Sequence, residues 1–338
     1  MSRVCASGAL IVLTLALAAA GCGGNAAATG HRTARAHRHD GASKARAAVP
    51  RPIKLAYHQL YSLPAPIQDP AVAGLGGGRF ALLGGLDAAD TSSAGVIVAD
   101  LRGPVHTASL PGAQHDAQAA TLTGKVYVFG GGDFSQYDHI LSFDPVDGTV
   151  TAAGTLPSPA SDVAVTDTGG TAYVVGGFDG SNWLDTIVAW RPGAAARIVA
   201  HLPVALRYAA VSAVNGGVLI IGGSTPSGAS DAILRFDPAS GSVRQIGRLP
   251  HAITHGGAGT LGAYVYLVGG RGENLDTQSA SVWAIDPATG AVRSAGRLPQ
   301  PISDAGVVST GDAIIVAGGR SPTATQPAVG ELVPSAAG

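Results

Sequence analysis

A pair of adjacent glycines closes an apolar run six times along this chain, at Gly84-Gly85, Gly130-Gly131, Gly176-Gly177, Gly222-Gly223, Gly269-Gly270 and Gly318-Gly319. The spacings are 46, 46, 46, 47 and 49 residues. A second marker, Leu-Pro, keeps step with the first at Leu63-Pro64, Leu110-Pro111, Leu156-Pro157, Leu202-Pro203, Leu249-Pro250 and Leu298-Pro299. Two unrelated dipeptides in phase define an internal repeat. At this length the repeat is one supersecondary unit that cannot bury its own faces and must stack on its neighbours.

The period from Ser158 to Leu202 divides into four strand-like pieces. Asp162-Val163-Ala164-Val165 comes first, then a Gly169-Gly170 turn, then the continuous apolar run Ala172-Tyr173-Val174-Val175, whose lack of alternation means burial on both faces. A polar loop from Phe178 to Asp185 leads to Thr186 through Trp190, an Arg191-Pro192-Gly193 turn and a last strand ending at Leu202-Pro203. Other repeats make that turn with Asp144-Pro145, Asp237-Pro238 and Asp286-Pro287, each followed by a glycine at 148, 241 or 290. Proline presets such a turn, and glycine supplies the positive φ it ends on.

Four antiparallel strands per unit make a blade, and only a ring of blades covers every face. The sixth period has two strands between Ala305 and Ala317 and a third around Gly330 to Val333, after which the pattern stops. Its fourth strand is supplied by Ile53 to Leu63, ahead of the first period. The expected fold is therefore all-β: a six-bladed β-propeller of four-stranded antiparallel blades, closed by the N-terminal strand joining the C-terminal blade. Composition agrees, with 46% apolar residues to fill a large core and Gly 49 and Pro 21 for many tight turns.

Apolar strands ending in Gly-Gly, as in Val126-Tyr127-Val128-Phe129-Gly130-Gly131, followed by a turn-rich loop, resemble Kelch repeats over residues 53 to 334. One position departs from that pattern. Where Kelch repeats often carry Arg three residues after the Leu-Pro proline, this chain has Ile67, Gln114, Ala160, Leu206, Ile253 and Ile302, so Kelch partner preferences do not transfer.

Residues 1 to 21 read as an export signal: Arg3, an apolar run from Ala9 to Ala20, then Gly21. About a dozen apolar residues are too few to span a bilayer. Ala19-Ala20-Gly21-Cys22 resembles a bacterial lipobox, which implies lipidation of Cys22 and a membrane anchor on the extracytoplasmic side. Cleavage after Ala18-Ala19-Ala20 and secretion as a soluble protein is the other reading. Both cysteines, Cys5 and Cys22, fall in this region, so the exported body has none and its fold needs no disulfide.

Residues 22 to 52 show no periodicity and read as a flexible tether carrying a net charge of +5, whereas from Lys54 onward the charge is −7. An acidic body is the wrong sign for nucleic acid. No metal and no cofactor is expected, and a monomer is. The expected partners are the membrane through its lipid anchor and a protein or glycan of the envelope.

The fifth residue after each Leu-Pro proline is Asp69, Asp116, Asp162, Tyr208, His255 or Asp304. In a propeller these positions form one ring at a channel mouth. Either the aspartates accept backbone N–H bonds to hold their loops, or the ring binds a ligand. Arg207, Arg271 and Arg320 lie close by in sequence, opposite Asp87, Asp133 and Asp179, with Tyr137 and Trp183 further along, which gives a mouth with one basic and one acidic half. Three arginines beside aromatic rings suit an anionic ligand such as a carboxylated sugar. The expectation is thus a binding module or scaffold. The alternative is a carbohydrate-active enzyme resembling bacterial sialic-acid mutarotases, with His255, Tyr208 and Glu273 as its acid-base candidates.

Overall fold

The computed structural model describes residues 51–335, all of whose regular structure is β. The signal segment, Cys22 and the tether up to residue 50 lie outside the described residues. Six four-stranded antiparallel sheets are arranged as a β-propeller. The third blade shows the plan: an inner strand Ala164–Thr168, then Thr171–Val175, Thr186–Trp190 and an outer strand Arg197–His201, hydrogen-bonded in that order. The inner strands of the others are Ala71–Gly76, Gln118–Leu122, Ala210–Val214, Gly257–Leu261 and Gly306–Ser309. The sixth sheet takes three strands from the C-terminal end, and its outermost is Leu55–Ser62. That strand pairs antiparallel with Ala328–Pro334, from Leu55 opposite Pro334 to Ser62 opposite Ala328, with a bulge between Gln59 and Tyr61.

Packing explains why the repeat cannot stand alone. Each hydrophobic cluster draws on two successive blades. One joins Phe129 and Ile140 of the second blade to Val174, Val188 and Trp190 of the third. Another joins Ile315, Ala317 and Val329 of the sixth blade to Phe80, Leu82 and Ala99 of the first. Trp190 is among the largest fully buried side chains, edge-on to Phe129 at 5.5 Å and tilted against Tyr127 at 4.8 Å. Fully buried aromatics of this size dominate such interfaces, each covering about 150–250 Å² of apolar surface.

The Gly-Gly marker has a structural cause at the same interfaces. The second glycine's N–H donates to a carbonyl in the loop entering the next blade: Gly131 to Ala160, Gly177 to Leu206, Gly223 to Ile253, Gly270 to Ile302 and, from the sixth blade to the first, Gly319 to Ile67. At Gly176 the backbone has φ +63°, and a Cβ would stand 2.1 Å from the Leu206 carbonyl oxygen. No side chain fits there, so glycine is required by contact as well as by conformation. The Asp-Pro turns form as expected. The Asp144 carboxylate accepts the Val146 N–H at 2.9 Å, its carbonyl accepts that of Gly148, and Gly148 has φ +80°.

Candidate binding site at the channel mouth

The inner strands surround a cavity of about 560 Å³ whose lining includes Asp69, Asp116, Asp162, Tyr208, His255 and Asp304. All six expected ring positions therefore meet in one place. They sit just ahead of their strands, and every one has a positive φ, between 50° and 59°. At five of the six this conformation turns the residue's N–H to the ring residue of the preceding blade. Asp162 donates to the Asp116 carbonyl, Tyr208 to Asp162, His255 to Tyr208, Asp304 to His255 and Asp69 to Asp304, at 2.8 to 3.1 Å.

Of the two roles weighed for the ring aspartates, the loop-holding one is not what their carboxylates do. Carboxylates that accept neighbouring backbone N–H groups are found instead at the exposed turns: Asp87 takes Ala89 and Thr91, and Asp179 takes Ser181 and Asn182. Two of the three acidic-half loop residues are thus turn formers. At the ring, main chain holds main chain, and the carboxylates meet side chains.

Arg207 precedes the ring residue of the fourth blade and ion-pairs with Asp162, whose side chain is only 2% exposed. Its guanidinium lies over Phe178 at 4.7 Å, Trp183 at 4.9 Å and Tyr208 at 5.2 Å. The Tyr208 hydroxyl donates to Asp116 at 3.4 Å and stands the same distance from an Arg207 amino group. Burial first, then the Asp116 and Asp162 charges, pushes its pKa far up, so it remains a phenol. Its ring stacks on His255, centroids 3.8 Å apart and planes 22° from parallel.

The His255 side chain is only 8% exposed, with Nδ1 3.0 Å from Thr254 Oγ1 and Nε2 2.9 Å from an Arg271 amino group. Arginine only donates, so Nε2 accepts and Nδ1 carries the proton. Burial and the nearby Arg271 and Arg207 charges hold His255 well below the ordinary histidine pKa. Its 3.9 Å approach to Asp304 is consequently a contact between a neutral ring and a carboxyl group.

Among the carboxyls, burial pushes Asp69 up first, followed by Asp304, Asp116 and Asp162. Asp116 rises for the same leading reason, with Asp162 next and Arg207 opposing. Asp304 rises less freely, because Ser303 hydrogen-bonds to it and Arg271 lies near.

The three arginines occupy different settings. Arg271 and Arg320 sit at equivalent places two residues after the Gly-Gly start, each bridging the residue before the ring, whereas Arg207 is itself such a preceding residue. Arg320 is engaged by Asp90 at 3.0 Å and approaches Gln68 at 3.5 Å, both from the first blade. Arg271 donates to the Glu273 carbonyl at 2.9 Å, and among the described residues it has no carboxylate within 4.0 Å. None of the three lines the cavity. The basic and acidic halves expected from sequence are therefore cross-linked by Arg207–Asp162 and Arg320–Asp90. Glu273 does not line the cavity, and its carboxylate accepts the Ala229 N–H of a small hairpin at 3.2 Å. Gln68, Thr254 and Ser303 share the repeat position of Arg207, one before the ring residue, and Phe178 shares that of Arg271 and Arg320, two after the Gly-Gly start, so the repeat could have found them; Asp90 stands at no recurring position.

No family model matches the chain, and no curated protein sequence matches it. Among solved structures it is similar to one titled "Structure of YjhT", with a TM-score of 0.68 and 16% identity over 81% of this chain and 96% of that one. At that identity the likeness speaks for architecture alone. Comparison and sheet order agree that the chain is a six-bladed β-propeller.

Proposed function

We propose that this propeller is an envelope binding module of Kelch type, held at the outer side of the membrane by lipidated Cys22, which takes a small polar ligand at the channel mouth. The observation that carries the reading is the choice of residue at the ring. A position fixed at φ 50–59° is cheapest with glycine, yet all six blades place a polar side chain there, two of them the bulky Tyr208 and His255. A non-glycine residue in that region costs about 1–3 kcal/mol and is typically retained where the side chain serves a site.

Arg271 supports an acidic group on the ligand. It is half-buried, with Nε unpartnered and no counter-ion among the described residues. The test is calorimetric titration of the purified protein with glucuronate against glucose. Glucuronate should bind, glucose should bind at least about tenfold more weakly, and Arg271→Ala should remove the difference. Equal binding of the two sugars sinks the reading.

The enzyme alternative has one observation in its favour, the Tyr208–His255 stack at the cavity wall. Turnover of a bound sugar that is lost in His255→Ala would favour it over simple binding.

A further inference from the structure

One slot between the loops of successive blades holds a reactive pair. Trp183 of the third blade, which bridges Phe178, packs on Arg207, the residue ahead of the fourth blade's ring position. The same slot between the first and second blades sets Ser92, which bridges Leu86, against His115. There a hydroxyl meets an imidazole, with Ser92 Oγ 2.9 Å from His115 Nδ1. His115 Nε2 lies 3.5 Å from Asp116 Oδ2. No other blade has histidine at this repeat position, the others carrying Gln68, Ser161, Arg207, Thr254 and Ser303.

The neighbours of the pair fix where its protons sit. Asp116 Oδ2 already accepts the Tyr208 hydroxyl, so the imidazole faces an acceptor and presents N–H from Nε2. Nδ1 is then the bare nitrogen, and the Ser92 hydroxyl donates to it. Burial above all holds His115 below the ordinary histidine pKa, against the charges of Asp162 and Asp133, so the ring is neutral and able to take a proton. Main chain fixes both partners. The N–H of Ser93 donates to the Gly85 carbonyl at 2.8 Å and that of Thr91 to the Asp87 carboxylate at 3.0 Å, one on each side of Ser92. His115 exchanges N–H···O bonds with Gly132 at 2.9 and 3.0 Å. The His115 side chain is 25% exposed, so the pair is open to a reactant from solvent. The Ser92 N–H has no acceptor among the described residues, which leaves a backbone donor beside the hydroxyl.

We propose that Ser92 and His115 form a hydrolytic pair, oriented by Asp116, that cleaves small acyl esters at the edge of the mouth. Ser92 Oγ attacks the ester carbonyl carbon while His115 Nδ1 takes its proton. The acyl C–O bond then breaks, and the alcohol leaves carrying the proton from Nδ1. Water, giving a proton to the same nitrogen, attacks the acyl-serine. The carboxylic acid departs as Ser92 Oγ regains its proton. Such a constellation is defined by roles and geometry, and here Nδ1 is the base and Nε2 the oriented nitrogen. The Asp116 contact tightens as positive charge forms on the ring. Turnover is slow with one backbone donor for the oxyanion, because each such donor is worth about 10²–10³-fold in rate. This activity goes beyond ligand binding at the mouth and does not rest on it.

The experiment treats the full chain with a fluorophosphonate probe, which is captured by a serine whose hydroxyl a neighbouring base deprotonates, and maps the adduct by mass spectrometry. A single adduct should form, on Ser92. It should be absent from the heat-unfolded protein, from Ser92→Ala and from His115→Ala. Hydrolysis of p-nitrophenyl acetate should fall about 100-fold in kcat/KM in either variant, the lower end of what a positioned general base contributes. Asp116→Asn should lower kcat and leave KM unchanged, and a change in KM alone would overturn its orienting role. Should His115→Ala fail to fold, Ser92→Ala decides, because Ser92 is a partly exposed loop residue. No adduct on the folded chain, an adduct that survives Ser92→Ala, or unchanged hydrolysis in Ser92→Ala overturns the proposal. Glucuronate binding should persist in Ser92→Ala, so failure of the ester chemistry and failure of the binding reading are told apart.

Discussion

If the six ring residues hold a conformation the fold imposes on them, glycine and alanine should exchange their usual ranking at those positions. Asp69 is the clearest case: φ is 50°, and its N–H is committed to the Asp304 carbonyl at 2.8 Å, so the backbone has no room to relax. Both Asp69→Ala and Asp69→Gly remove the carboxyl, and their difference isolates the backbone. An L-residue in the left-handed region costs roughly 1–2 kcal/mol. Glycine gives back about 0.4–1 kcal/mol through its larger unfolded-state entropy. The glycine variant should therefore be the more stable by about 0.5–1 kcal/mol, close to 2 °C in melting temperature for a domain of this size. At Thr151, an exposed position in the outer strand Val150–Thr155, the order should reverse, because extended backbone favours alanine. Urea unfolding of the four variants measures both differences. Alanine equal to or better than glycine at Asp69 would refute the claim that the ring stores backbone strain, and with it the main support for a functional mouth.

Two further outcomes follow from the same structure. Asp69 has a folded pKa well above its ordinary value, so the folded state binds the proton more tightly than the unfolded chain does. Stability from this group is complete below the ordinary aspartate range and is lost as pH rises toward the folded pKa, by about 1.4 kcal/mol per pH unit. Asp69→Asn should thus gain on the parent protein as pH rises through that window and lose its advantage in acid, which melting curves against pH will show; a gap that widens in acid contradicts the assignment. Removing residues 51–62 strips the outer strand from the sixth blade and takes Leu55 and Leu60 from the clusters on its two sides. Losing even one buried leucine costs about 2–5 kcal/mol, so the truncated chain should lose cooperative thermal unfolding. A truncated protein that melts like the parent would show that this pairing does not hold the ring shut.

Blade number, strand order and the six ring positions were legible because they recur. A feature repeated in phase six times needs no knowledge of distant contacts, and the Gly-Gly pair proved to be an inter-blade hydrogen-bond site repeated for one reason. What recurs only once was not legible. Arg207, Arg271 and Arg320 look alike in sequence and are close to the ring in number, yet one pairs with Asp162, one with His255 and one with Asp90. Arg320 and Asp90 are separated by 230 residues, and no local pattern ties them. The ion pairs that join the expected basic and acidic halves at their two seams were hidden for that reason: charges were assigned to blades, whereas side chains of this length reach across to the next one. Asp before a turn reads as a turn former, which is true of Asp87 and Asp179 and untrue of the ring.

The ring also explains how one repeated backbone supports a site made of unlike parts. Because five main-chain links run from blade to blade through the ring residues, their positions do not depend on which side chains they carry. A substitution at one blade changes the chemistry at the mouth without moving the other five. Aspartate tolerates the left-handed region better than most residues, and four blades keep it. The fourth and fifth blades accept greater strain to place Tyr208 on His255, and the arginines that hold this stack, Arg207 and Arg271, come from the same two blades. The asymmetry is therefore built on adjacent blades, with one side of the mouth aromatic and hydrogen-bonded, and the other lined by Asp69, Asp116 and Asp304, which burial above all holds above the ordinary aspartate pKa. A ligand that bridges the two sides would meet the Tyr208–His255 stack at one end and buried carboxyls at the other, so the two ends of this mouth select for different groups on the same molecule.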